Sequence, residues 1–134
     1  MNVSSKTLSY TLILTQSPVQ YESNQTAQSL VSELIAAGDT IDRVFFYQDA
    51  VYIGLQSQVP GQGLEASFQG WLALQKAQSF PLQLCIANSL RRGILDEAEA
   101  TRYSKDANLQ AGFQLSGLGE IAEACQSSDR IIRL

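Results

Sequence analysis

Residues 80–93 read FPLQLCIANSLRRG. The first eight (80–87) are a short, almost uninterrupted apolar run, the pattern of a strand buried on both faces in a parallel sheet. After Asn88 the stretch SLRR reads as a short helix stopped by Gly93. A strand running almost directly into a helix is the unit from which βα-wound sheets are built. Such sheets keep reactive groups in the crevice beyond the carboxyl ends of their strands, and Cys85 stands near one of those ends.

The same alternation extends to both sides. Residues 8–14 (LSYTLIL) form a first strand that ends at Thr15-Gln16-Ser17-Pro18. Ala27, Leu30, Val31, Leu34 and Ile35 recur at helical spacing, and Gly38 closes that helix. Residues 41–47 (IDRVFFY) read as a second strand. From 48 to 63 the signals are mixed, with Gly54, Pro60, Gly61 and Gly63 predicting a mobile loop. Leu64, Phe68, Trp71, Leu72 and Gln75 then predict a helix whose first four members face the core. Asp96 and Glu99 form an acidic variant of the capping box ahead of another short helix. Leu118, Ile121, Ala122 and Cys125 predict a final helix starting near Ser116, with Cys125 completing its core-facing stripe. Ile131-Ile132 supplies the last strand. The expected order is therefore strand, helix, strand, helix, strand, two helices, strand, as one α/β domain over residues 1–134 with no linker or internal repeat.

Composition narrows the function classes. Of the 134 residues 45% are hydrophobic and 16% charged, a globular and not a disordered balance. The low charge fraction leans toward oligomerisation. The net charge is −4, and the nine Lys and Arg are scattered apart from the Arg91-Arg92 pair, which argues against direct nucleic-acid binding. The apolar run near the start is followed by Gln16 and Pro18 where a signal peptide has small residues, and no apolar stretch reaches the roughly 20 residues needed to span a bilayer. A cytoplasmic location without membrane association is the expectation.

The chain has no histidine and only two cysteines, Cys85 and Cys125, with no CxxC. Ser-His-Asp and Cys-His machinery and the usual Cys/His zinc sites are thereby excluded. Gly61-x-Gly63 lacks the third glycine of a dinucleotide fingerprint and the Gly-Lys-Ser/Thr of a P-loop, so neither a cofactor nor a metal is implied. A thiol just ahead of a helix N-terminus feels the positive end of the helix dipole, which favours thiolate. A small buried hydrophobe is the competing reading of Cys85, and position alone does not decide between them. For Cys125 the core reading is preferred. Arg91 and Arg92 add positive potential near Cys85 or point to solvent, and Tyr47, Asp49 and Tyr52 are candidates for lining the same crevice.

Three separated segments carry a resemblance: VFFYQDAVY at 44–52, LQLCIANSLRRGILDEAEA at 82–100 and GFQLSGLGEIAEA at 112–124. Together they resemble the DsrE family of sulfur-relay subunits, and the likeness runs in order from Tyr10 to residue 134. The resemblance implies a three-layer α/β/α sandwich with a mostly parallel central sheet. It further implies a sulfurtransferase whose persulfide-carrying cysteine corresponds to Cys85. Its expected assembly is a heterohexamer with TusB-like and TusC-like subunits. Its expected traffic is sulfane sulfur from a TusA-like donor to a TusE-like acceptor, for 2-thiolation of the tRNA wobble uridine. One departure from the family pattern lies just after Val51-Tyr52, where asparagines are expected and this chain reads Ile53-Gly54-Leu55, so the crevice rim differs. Three alternatives stand beside this reading: a DsrE-type subunit of dissimilatory sulfur trafficking, a non-catalytic assembly subunit, and a redox sensor pairing Cys85 with Cys125.

Overall fold

The four connections between the five short strands are all too long for hairpins, the length that parallel pairing requires. The computed structural model describes residues 6–134, so the first five residues of the N-terminal stretch lie outside it. In chain order the elements are β1 (Ser9–Leu14), α1 (Tyr21–Ala36), β2 (Thr40–Phe46), a 3-10 segment (Gln48–Gly54), α2 (Ser67–Ala77) and β3 (Leu82–Cys85). They continue with α3 (Ile86–Arg91), α4 (Glu97–Tyr103), β4 (Phe113–Ser116), α5 (Gly119–Ser127) and β5 (Arg130–Arg133). The sheet order is β4-β3-β2-β1-β5 and every ladder is parallel.

That order assigns the helices to the two faces. The chain steps from β1 through β2 and β3 to β4 in one direction, then returns across the sheet to β5. With right-handed crossovers, the reversal puts the last helix on the opposite side from the earlier ones. The register agrees. Leu12, Val44, Leu82 and Phe113 are paired in one row, and Leu14, Phe46, Leu84 and Leu115 in the next row on the same face. Phe46 meets Trp71 of α2 edge-on at 5.6 Å, and the fully buried Trp71 indole donates to Asn24 Oδ1 of α1 at 2.8 Å. This face is the apolar core.

The other face is held by polar contacts. Arg43 Nη1 donates to Thr11 Oγ1 at 3.1 Å and its Nε lies 3.7 Å from Glu120 Oε2 on α5. The Ser128 hydroxyl donates to Asp42 Oδ2 at 2.6 Å and shares a hydrogen bond with Thr11 Oγ1 at 2.7 Å. The stripe of α5 facing the sheet is thus Glu120, Ala124 and Ser128, at i, i+4 and i+8, with Ile121 packed beside it.

The α/β class and the parallel sheet are as expected, and so are the helix stops: Gly38 takes φ +89° just after α1, and Gly93 takes φ +76° after α3. Asp96 Oδ1 accepts from Glu99 N at 2.9 Å, the expected cap of α4. Four expectations are corrected. β4 is a strand that the order above lacked, because an edge strand of four residues with only Phe113 buried shows no alternation to read. The first part of the expected mobile loop is the packed 3-10 segment, in which Ala50, Val51, Ile53 and Gly54 are buried. α2 begins at Ser67, so Leu64 precedes it and is half exposed instead of core-facing. α5 begins at Gly119, and Cys125 is exposed: the contacts from Glu120 and Ser128 orient the helix by a mixed stripe that an apolar pattern cannot find.

Candidate functional site

Cys85 is both the last residue of β3 and the N-cap of α3. No loop separates strand from helix, so the helix starts at the thiol and not two or three residues beyond it. The side chain makes no capping hydrogen bond, which leaves the N–H groups of the first turn of α3 without a side-chain partner from this position. Cys85 pairs with Ser116 across the β3-β4 ladder and is 1% exposed. The sequence left Cys85 between a crevice thiol and a small buried hydrophobe; the fold places it beneath the surface at the carboxyl end of β3.

The residues around α3 tie it to the segment after β2. The backbone N–H of Gln48 donates to Asn88 Oδ1 at 2.7 Å, with Gln48 held at φ +52°, a left-handed conformation that is uncommon outside glycine. Arg92 Nε donates to Asp49 Oδ1 at 2.9 Å, and Arg92 Nη1 to the Asn88 carbonyl at 3.2 Å. Asp49 and Arg92 are therefore brought to α3 as an ion pair, and the positive charge of Arg92 is spent on that pair. Arg91 is exposed, and Tyr47 and Tyr52 are half-buried against the core. Gly54 packs directly on Leu84, the residue before Cys85.

Two residues near the thiol escaped the sequence reading. Gln83 is 4% exposed with an unpartnered Oε1, and Ser89 is fully buried with an unpartnered Oγ. A signal for the first was present, since Gln83 is the one polar residue inside an otherwise apolar strand.

All strands run the same way, so the loops after β1 and β2 gather at the end of the sheet where Cys85 lies. They form a depression of about 470 Å³ whose rim includes Pro18, Tyr21 and Leu64 and the highly exposed Val19 and Val59. A larger groove of about 820 Å³ between α1 and α2 is lined by Gln, Ser and Thr side chains, and Cys85 lines neither the depression nor this groove. Among the described residues no three His, Cys, Asp or Glu side chains gather to hold a metal, and both cysteines are free. No helix among them is long and apolar enough to cross a membrane.

The DsrE/DsrF-like family model matches residues 9–134. The chain belongs to the DsrE/DsrF-like family. Within it, the chain is 38% identical over 128 residues to a protein of Vibrio vulnificus named sulfurtransferase TusD homolog, covering 95% of this chain and 98% of the relative. It is 37% identical over 127 residues to sulfurtransferase TusD of Serratia proteamaculans, covering 94% and 98%. The resemblance read from the three segments is thus borne out, down to the TusD type. The crystal structure of the ychN protein from E. coli matches with a TM-score of 0.69 and 23% identity over 95% of this chain and 99% of that one, which shows the shared DsrE-like fold.

Proposed function

We propose that this DsrE/DsrF-like chain, folded as one domain over residues 1–134, is a cytoplasmic sulfurtransferase that carries sulfane sulfur as a persulfide on Cys85. It receives sulfur from a TusA-like donor and passes it to a TusE-like acceptor for 2-thiolation of the tRNA wobble uridine, in company with TusB-like and TusC-like subunits. The observation that supports the reading is the position of Cys85, which ends β3 at the N-terminus of α3, in the segment that the DsrE resemblance matches to a persulfide-carrying cysteine.

The chemistry needs no histidine. Cys85 in its thiolate form attacks the outer sulfur of a donor persulfide: Cys85–S⁻ + R–S–SH → Cys85–S–SH + R–S⁻. The new S–S bond replaces the one that breaks, the donor thiolate leaves with the electron pair, and the proton stays on the transferred sulfur. Delivery is the same step with Cys85 as the leaving thiolate. Unpaired N–H groups at the start of α3 can stabilise negative charge on either sulfur. Because the chain is acidic, the relay reading assigns tRNA contact to later proteins.

Burial of Cys85 sets a condition on this cycle: a donor reaches the sulfur only when the site opens. The Gln48–Asn88 and Asp49–Arg92 links are both exposed, so each contributes only about 1 kcal/mol to holding α3 against the 3-10 segment. Opening there is accessible to thermal motion or to a docking partner. The same burial is the one observation favouring a second reading, a non-catalytic assembly subunit in which Cys85 is only packed.

The deciding experiment is peptide-resolved mass spectrometry of the chain, with its neighbouring subunits, after incubation with a sulfur-loaded donor. The mass of one added sulfur is expected on the peptide containing Cys85. A Cys85→Ser variant that assembles normally and still supports tRNA thiolation would establish the second reading instead.

A further inference from the structure

Five buried side-chain atoms lack a hydrogen-bond partner among the described residues, and two of them flank Cys85: Oε1 of Gln83 and Oγ of Ser89. Leaving such groups unpaired in the fold is unfavourable, and in native proteins it marks strain, a catalytic role, or a bound water, ion or ligand. Backbone geometry places both beside the thiol. Residues 83 and 85 leave the same face of β3, roughly 7 Å apart along the strand. Ser89 lies one turn into α3 from the capping cysteine, and helical Cα–Cβ bonds tilt toward the N-terminus, so its side chain leans over the turn that Cys85 begins. Neither residue has a role in the core: both are almost fully buried, and the register sets Gln83 between Phe45 and the exposed Gln114.

We propose that Gln83 and Ser89 form the hydrogen-bonding lining that binds the sulfane sulfur on Cys85. This rests on the persulfide reading above and adds to it the residues that favour the loaded form. Both side chains suit the cargo in either protonation state. The Gln83 amide and the Ser89 hydroxyl can donate to a persulfide anion or accept from the –S–SH form. The orphaned atoms of the unloaded chain are then the empty half of a site that loading completes. The Cys85–sulfur bond holds the cargo, and the lining shifts the exchange equilibrium toward the loaded form.

The test is the exchange equilibrium Cys85–SH + GS–SH ⇌ Cys85–S–SH + GSH, with glutathione persulfide as the probe, read by peptide-resolved mass spectrometry on the full chain. Gln83→Met and Ser89→Ala each remove a buried polar group without adding charge, so their melting temperatures are expected to equal or exceed that of the parent. The exchange constant is expected to fall roughly fivefold for each variant, the loss of one neutral hydrogen bond of about 1 kcal/mol. Unchanged exchange constants in folded variants overturn the lining while leaving the persulfide reading intact. Absence of any Cys85 adduct in the parent chain refutes the persulfide reading itself, and the lining with it. The two variants are read separately, so if one fails to fold the other still decides.

Discussion

Substituting Gly54 by alanine perturbs the contact that seats the 3-10 segment on the strand carrying Cys85. A Cβ at this position falls well inside contact distance of Leu84 Cδ2 and 2.9 Å from Leu109 Cδ1. Leu84 is fully buried, and Gly54 is itself pinned, because its carbonyl accepts from Gln110 N at 2.6 Å and the next residue bridges Leu109. Neither side can retreat freely, so overpacking costs about 1–3 kcal/mol. The φ of Gly54 lies outside the left-handed region, so alanine adds no backbone strain and recovers about 0.4–1 kcal/mol through the less flexible unfolded chain. The net expectation is a loss of up to roughly 2.6 kcal/mol, read in urea as a lower midpoint at unchanged slope. Leu84→Val removes the methyl carbon that the new Cβ meets. In the Gly54→Ala background it should therefore cost less than in the parent, with a coupling of at least about 0.5 kcal/mol. A coupling of zero between Gly54→Ala and Leu84→Val would falsify the close seating of this segment on β3.

Trp71→Phe removes the donor to Asn24, which is 1% exposed and whose Nδ2 is already unpaired; a loss of about 2–4 kcal/mol in the same titration is expected, partly recovered by adding Asn24→Leu. Asp129 accepts from the backbone N–H and the hydroxyl of Ser9, and chiefly the backbone bond holds its carboxyl below the ordinary range. A depressed folded pKa contributes stability above the unfolded value, about 3.9, that is lost as pH falls through the lower folded value. Asp129→Asn should remove this part of the acid limb, and an unchanged acid limb would contradict the assignment. Iodoacetamide should modify Cys125 at least roughly tenfold faster than Cys85 in the native chain and both alike in denaturant, as peptide mapping would show.

The fold was legible where burial follows one period. The run 41–47 reads as a strand buried on both faces and the Ala27-to-Ile35 spacing as a helix with one core face, and the stops at Gly38 and Gly93 obey backbone sterics. It was illegible where orientation is set by polar partners. α5 is turned by Glu120 and Ser128, whose attraction to Arg43 and Asp42 depends on strands far away in sequence, and an apolar count therefore assigned Cys125 to the wrong face. At the site, Cys85 could be placed at a strand end from the order of residues alone. Its near-complete burial could not be read from residue order, and the pairing of Asp49 with Arg92 depends on a 3-10 segment that glycine and proline had disguised as loop.

The outward turn of Cys125 makes the two thiols unequal competitors for whatever reaches the protein from solution. An electrophile or oxidant meets Cys125 without waiting for any opening of the fold, whereas Cys85 is available only for the fraction of time that its cover is displaced. Selection between a specific sulfur donor and adventitious chemistry then becomes a matter of timing: a docked partner that prolongs the open interval gains Cys85, and a passing small molecule is consumed at α5 first.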